Sequence, residues 1–194
     1  MFEKKHSYAE KVKKDNRISH LKKDKIWIIQ IVLMSFALSL SLSFFSETVI
    51  PNVPLLISLI VLILFVLLGI IFDMVGISVT VADTKVFNSM AAKKIKGTKT
   101  ALLLIKNKSK VSSFCNDVVG DICGILSGGA GITIALNIAN KYDFNLLVIN
   151  LLITSIVAAV TIGGKAIGKT RAINKANEIL FRFSQIIEFI RFKK

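Results

Sequence analysis

Two aspartates four positions apart, Asp117 and Asp121, lie within residues 111–140, an apolar stretch long enough to cross a bilayer. A carboxylate near the middle of a membrane costs roughly 2.5–3.5 kcal/mol on insertion scales, so an acid at this depth is a functional candidate by default. The spacing places both side chains on one face of a helix. Asp121 lies a turn deeper and is the stronger candidate, whereas Asp117 also fits a solvated position at the cytoplasmic end of the span.

Three glycines, Gly120, Gly124 and Gly128, fall on or beside the same helical face. Small residues at four-residue intervals are typical of a seam where two membrane helices pack closely. Such a seam explains the glycines but not the aspartates. We therefore expect Asp121 to face the protein interior, and we expect Gly124→Leu to disrupt packing far more than Ile122→Leu.

The composition is that of an integral membrane protein. Hydrophobic residues make up 53% of the 194 residues and the mean hydropathy is +0.66. Four apolar runs approach the roughly 20 residues that a spanning helix needs, and they are residues 26–45, 55–72, 111–140 and 146–162. The second run becomes polar near its end, so its helix either leaves the membrane at Asp73 or continues through protein-lined space to about Ala82.

The 26 Lys and Arg residues, which give a net charge of +14, are concentrated in three segments. Nine lie in residues 1–25, eight in residues 84–112 and eight in residues 164–194, and only Lys141 lies elsewhere. Basic segments separated by pairs of spans follow the positive-inside rule, and anionic lipid head groups attract them. The distribution predicts a multi-pass protein of the cell membrane with both termini cytoplasmic. It also favours the lipid bilayer as the partner, and no nucleic acid is expected.

These features predict an all-α integral membrane protein with four transmembrane helices and amphipathic helices at the cytoplasmic surface. Residues 1–25 form a basic cytoplasmic tail, residues 26–163 a four-helix membrane domain, and residues 164–194 a cytoplasmic amphipathic segment. Within the membrane domain, residues 84–110 form basic juxtamembrane helices that break at Gly97. The sequence lacks a Walker loop, a nucleophile elbow and a dinucleotide fingerprint, so an enzyme is not expected.

The C-terminal amphipathic helix is predicted over residues 171–192, after a fourth span that ends at Gly163 and Gly164. Its apolar stripe recurs near a 3.5-residue period and fits either the membrane surface or a partner helix; the surface is preferred. The stripe consists of Ile173, Ala176, Leu180, Phe183, Ile187 and Ile190.

Three short motifs resemble the transmembrane domain of the cyclin M and CorB/CorC magnesium transporters. The first is the basic helical pair of residues 86–114, in which the positions in register are Lys96-Gly97, Ala101-Leu102, Asn107 and Ser113. The second is GILSGGAG at residues 124–131, and the third is GKAIGKT at residues 164–170. The similarity covers roughly residues 73–187. It implies a homodimeric magnesium transporter with a cation site between the second and third spans.

The chain departs from the family at positions that matter for an ion. In the family, the counterpart of GKAIGKT is a turn after the final span. Lys165 stands where that turn has a glutamate, and Gly168 stands where it has a proline. Asp117 and Asp121 stand where the family has amides or hydroxyls near the cation. The first span is additional to the family's three, and the regulatory nucleotide-binding domains are not expected after Lys194.

A hard divalent cation prefers oxygen ligands, and Mg²⁺ usually keeps several waters. The candidate ligands are Asp73, Ser78, Ser113, Asn116, Asp117 and Asp121. Lys165 is an expected intramembrane charge partner of these acids, either competing with the metal or forming a static buried pair. The sequence therefore predicts divalent-cation transport, with Mg²⁺ as the substrate. The alternatives are a non-transporting membrane scaffold or accessory protein of the same fold, and an anchor for lipid or nucleic acid.

Overall fold

The computed structural model describes the backbone of residues 2–192 and the side chains of residues 25–44, 46–50 and 52–190. The described part is 91% helical and contains no β-strand. A turn of 3₁₀ helix at Ile50–Asn52 follows the first helix, and a π-helical segment at Phe114–Gly120 precedes the sixth. The α-helices in this part are α1 (Phe2–Val49), α2 (Leu55–Val81), α3 (Thr84–Ala92), α4 (Thr98–Lys106), α5 (Lys108–Ser113), α6 (Asp121–Tyr142), α7 (Leu146–Asn174) and α8 (Ala176–Phe192).

Four helical stretches among the described residues are long and apolar enough to cross a membrane: Lys25–Val49, Leu55–Val81, Lys108–Tyr142 and Leu146–Asn174. The third combines α5, the π-helical segment and α6. Even the shortest stretch has 25 residues, so at 1.5 Å per residue each exceeds the roughly 30 Å thickness of the hydrocarbon core. The protein is an all-α membrane protein, which confirms the predicted fold class.

Residues 1–40 form one compact unit and residues 41–194 another. In the first unit, α1 exposes large apolar side chains, and Ile29, Leu33 and Phe36 are each at least 60% exposed. A helix with apolar side chains exposed in this way is suited to a lipid surrounding. For residues 1–24 of the predicted basic tail, the side chains are outside the described part of the chain.

In the second unit, α2, α6 and α7 pack against one another as a three-helix bundle. Their outward faces are also apolar, as Leu56 on α2 and Leu147 on α7 illustrate with exposures of 68% and 65%. The bundle therefore suits lipid on its outside as well as close packing within. The apolar core at one end of the bundle consists of Ile50, Leu62, Val66, Ala130, Ile134 and Val157.

The C-terminal half of α2 is surrounded by the shorter elements, and a second apolar core forms there from Val75, Val79, Phe87, Ala101, Cys115 and Leu180. Helix α8 packs on α2 and α4, with the Phe183 ring edge-on to Phe72 at a centroid distance of 6.4 Å. The apolar stripe predicted for α8 is therefore buried in one part of the helix and exposed in another. Leu180 is fully buried against protein, whereas Ile190 is 65% exposed at the far end.

The glycine pair at which the fourth span is predicted to end lies inside α7, which continues to Asn174. The glycines instead allow α2 and α7 to approach closely. A Cβ atom at Gly164 would collide with the Ile70 side chain, and one at Gly168 would lie 2.9 Å from Met74 Cγ. A glycine within a membrane helix is tolerated when a neighbouring helix packs against it.

Three other predicted helix boundaries can be compared with the structure. The C-terminal helix begins after Lys175 rather than at Arg171, because the residues from Arg171 to the end of α7 continue the preceding helix. Helix α2 does not end at Asp73 and continues to Val81, the longer of the two alternatives. The predicted break at Gly97 is confirmed: this glycine separates α3 from α4 with a φ of 90°, which is unstrained for glycine.

Candidate intramembrane charge site

An ion pair joins α6 to α7. The Lys165 Nζ atom lies 4.0 Å from Asp121 Oδ1, and the two side chains are 27% and 71% exposed, respectively. The same ammonium lies 3.7 Å from the position that a Cβ atom on Gly120 would occupy. Because that glycine has no side chain, the lysine can lie across the start of α6. The structure thus gives Lys165 the partner that the sequence predicts for it.

Further charges surround this pair. Asp73 on α2 is half-buried and interacts electrostatically with Lys165, Lys169, Asp121 and Asp117. We call these five residues the charge cluster. They come from α2, the π-helical segment, α6 and α7. With every group ionised, the cluster holds three carboxylates and two ammonium groups and therefore one net negative charge, and Lys165 and Asp121 are its pair in contact.

The segment that carries Asp117 is a π-helix seven residues long, Phe114–Gly120. A π-helix is rare and occurs frequently at functional sites, because its extra residue per turn re-aims the side chains that follow. Here it lies between two α-helical stretches of the third span, where the charge cluster forms. Sequence reasoning missed it, since its only visible signal is the polar pair Asn116 and Asp117 within an apolar run.

Asn116 is packed against the backbone of α2. A Cβ atom on Gly76 would lie 2.7 Å from Asn116 Cγ, so the amide in this position uses the space left by the glycine. The Nδ2 group donates a hydrogen bond of 3.3 Å to Ser112 Oγ. The Oδ1 atom is buried and has no hydrogen-bond partner among the described residues. A buried carbonyl oxygen without a donor is costly in a protein interior.

Two of the predicted ligands are the serines Ser78 and Ser113. Ser78 is fully buried, and its hydroxyl is 2.7 Å from the carbonyl oxygen of Met74 and 3.4 Å from that of Ala172. This serine therefore serves the contact between α2 and α7. Ser113 is half-buried at the end of α5. The structure brings Asp73, Asp117 and Asp121 into one cluster with Lys165, with Asn116 adjacent in the chain.

The acids do not form a ready-made metal cage. Among the described residues, no three His, Cys, Asp or Glu side chains are close enough together to hold a metal ion. Mg²⁺ commonly binds through one or two carboxylates and keeps several waters, so the absence of a cage does not conflict with this substrate. Asp121, with its largely exposed carboxylate, is the acid of the pair that is open to a hydrated cation.

The expectation that Asp121 faces the interior with the glycines is wrong for the single chain. Its side chain is 71% exposed, and no atom lies within 4 Å of a Cβ atom placed on Gly124 or Gly128. Ile122 is instead 5% exposed and belongs to the packed face. The buried side of α6 runs through Ile122, Leu126 and Gly131, so Gly124 and Gly128 are left on the open side.

The close-packing glycines are on the other two helices of the bundle. Gly69 on α2 would place a Cβ atom 3.2 Å from that of Cys123 on α6, and Gly164 and Gly168 admit α2 side chains to α7. Gly164 and Gly168 are four residues apart, the same spacing as that of Gly120, Gly124 and Gly128 in the third span, and this spacing is typical of closely packed membrane helices. The family resemblance assigns residues 164–170 to a turn, so a packing role was not predicted for these two glycines.

The chain was compared with models of protein families, with curated proteins and with solved structures. No family model, no curated protein and no solved structure matches it.

Proposed function

We propose that this protein transports a divalent cation, with Mg²⁺ as the substrate and the charge cluster as the binding site. The observation that carries the proposal is the π-helical segment, which carries Asn116 and Asp117 within the same candidate membrane span as Asp121. The same segment holds the Asn116 amide, whose Oδ1 atom is buried without a hydrogen-bond partner among the described residues. Such local departures from ideal packing persist where a site requires them.

Lys165 supplies a tethered cation to this site. Carboxylates at membrane depth are costly when unneutralised, and the ammonium 4.0 Å from Asp121 offsets that cost when no metal is bound. A divalent cation at the same carboxylate repels the ammonium, and the flexible four-carbon stem lets the lysine withdraw. The negative charge of the Asp121 carboxylate would thus be offset in both states of the site, by the metal when it is bound and by Lys165 when it is not.

The test is Mg²⁺ flux into liposomes that contain a magnesium-sensitive dye. We expect the reconstituted protein to raise flux above that of protein-free vesicles, and Asp121→Asn to lower it by about tenfold or more, the cost of one ligand charge. Asp143→Asn is the matched control, because Asp143 lies in the exposed turn after α6 with a φ of 54°, where asparagine is well tolerated. Flux equal to that of empty vesicles would overturn the proposal.

The second candidate is a non-transporting membrane scaffold or accessory protein. The observation in its favour is that the Lys165 ammonium already forms an ion pair with the Asp121 carboxylate, as expected of a structural charge pair. No flux, combined with strong energetic coupling between these two residues, would support the scaffold.

The remaining assignments extend the same proposal. The similarity to the cyclin M and CorB/CorC membrane domain supports a homodimer. The three basic segments support a location in the cell membrane with both termini cytoplasmic. Anionic lipid head groups are then the natural partners of the basic helices.

A further inference from the structure

A cavity of about 800 Å³ opens between the α3–α4 connection and α8. Three lysines line it, Lys94, Lys96 and Lys99, and Glu188 on α8 lines the same space. We call it the lysine cavity. All three lysines are exposed, so their ammonium groups are available to a ligand. The concentration of positive charge in a concave site favours an anionic group.

The backbone at this cavity adds donors of the same sign. Helix α4 begins after Gly97 without any side chain that caps its first turn, and Gly97 to Thr100 line the cavity. The first-turn amides of a helix lack partners within it and carry the positive end of the helix dipole. The lysines and these amides together suit a phosphate group.

Glu188 indicates that the ligand also carries a positive charge. Its Oε2 atom is buried and has no hydrogen-bond partner among the described residues, although lysines line the same cavity. A buried carboxylate oxygen left without a donor is costly. A ligand ammonium with N–H groups would satisfy it while the phosphate engages the lysines.

An apolar surface adjoins the cavity. A second hollow of about 420 Å³ is lined by Lys96 and Glu188 together with Phe189. On the same helix Ile186, Phe189 and Ile190 are 57%, 70% and 65% exposed. Exposed apolar side chains beside lysines are typical of a helix at the membrane interface. A ligand in the cavity would therefore have lipid chains at hand along α8.

We propose that the lysine cavity binds the headgroup of an aminophospholipid, a phosphate joined to a primary ammonium. The phosphate lies against Lys94, Lys96, Lys99 and the first turn of α4, the ammonium pairs with Glu188, and the acyl chains follow the apolar side of α8. This site is separate from the charge cluster, and it stands whether or not the protein transports a cation.

Native mass spectrometry of the detergent-solubilised protein, with single lipids added, tests the assignment. We expect phosphatidylethanolamine to bind more tightly than phosphatidylcholine, whose quaternary ammonium has no N–H group to donate. Glu188→Gln should weaken phosphatidylethanolamine binding about tenfold and leave phosphatidylglycerol binding unchanged. Lys99→Gln should weaken both lipids about fivefold. Lys93→Gln is the matched control, because Lys93 lies in the same segment but does not line the cavity.

Three results would overturn the proposal. Equal losses for Lys93→Gln and Lys99→Gln would mean that only the overall charge attracts lipid. Equal losses of both lipids in Glu188→Gln would remove the role of the carboxylate. Soluble phosphoethanolamine that binds as tightly as the lipid would identify a water-soluble ligand instead of a membrane lipid.

Discussion

The pair between Lys165 and Asp121 is asymmetric in its surroundings. The lysine is 27% exposed and the aspartate 71% exposed, at a separation of 4.0 Å. An ion pair with one exposed partner contributes less than a fully buried one, because solvent or lipid headgroups compete for the open charge. The contribution of this pair to stability is therefore modest, which leaves Asp121 available to another cation.

A double-mutant cycle measures this contribution. We expect the loss of stability in Lys165→Met with Asp121→Asn to be smaller than the sum of the single losses, by about 0.5 kcal/mol, since the pair is partly exposed. Thermal unfolding in detergent gives the four values. The parallel cycle with Asp117→Asn is the control, because no ion pair of Asp117 with Lys165 within 4.0 Å is found among the described residues. Coupling as large for Asp117 as for Asp121 would contradict the observed pairing.

Asn116 should separate stability from function. Asn116→Leu removes the unpartnered Oδ1 atom together with the long 3.3 Å hydrogen bond from Nδ2 to Ser112 Oγ, and it puts an apolar group of similar size in their place, so we expect an unchanged or raised unfolding temperature. If the amide oxygen serves the cation, Mg²⁺ flux into liposomes should fall even though the protein is no less stable. Asn150→Leu is the matched control, since Asn150 also has a buried and unpartnered Oδ1 atom but lies at the opposite end of α7 from Lys165. A destabilised Asn116→Leu protein would show that the amide is a structural element.

At the scale of the elements, hydropathy predicted which segments are helical but not how they face one another. The four spans follow from apolar runs of sufficient length. The side of α6 that is buried could not be read from the spacing of Gly120, Gly124 and Gly128, because a small residue fits an open face as well as a packed one. The π-helical segment was also beyond prediction, since backbone hydrogen-bond register leaves no periodic trace in seven residues.

Glycine substitutions test the corrected packing. We expect Gly168→Leu to lower the free energy of unfolding by about 1–3 kcal/mol, because this buried position contacts Met74 and Ile70 of α2. Gly124→Leu, on the open side of α6, should leave it nearly unchanged. Thermal unfolding of the two variants in one detergent is the measurement. Equal destabilisation at the two positions would show that another chain covers the open face, and a dimer would then be sought by cross-linking.

At the scale of the whole molecule, the second unit has two differently built ends. One end carries the apolar core around Ile50 and the short turn after α6. The other carries α3, α4 and α8 around Phe87 and Leu180. The sequence predicted this division from charge alone, since the lysines cluster in the segment that forms α3, α4 and α5. It did not predict that α8 folds back onto α2, because an apolar stripe suits protein and lipid equally well.

The orientation of these two ends is the last prediction. The positive-inside rule places the end with α3, α4 and α8 in the cytoplasm, so the turns near Asn52 and Asp143 should lie outside the cell. Single cysteines at these two exposed positions should react with a membrane-impermeant maleimide added to intact cells. A cysteine at Lys99 should react only after the cells are opened. The native Cys115 and Cys123 are both buried, which keeps background labelling low. Labelling at position 99 in intact cells would invert the topology, and it would place the lysine cavity on the external leaflet.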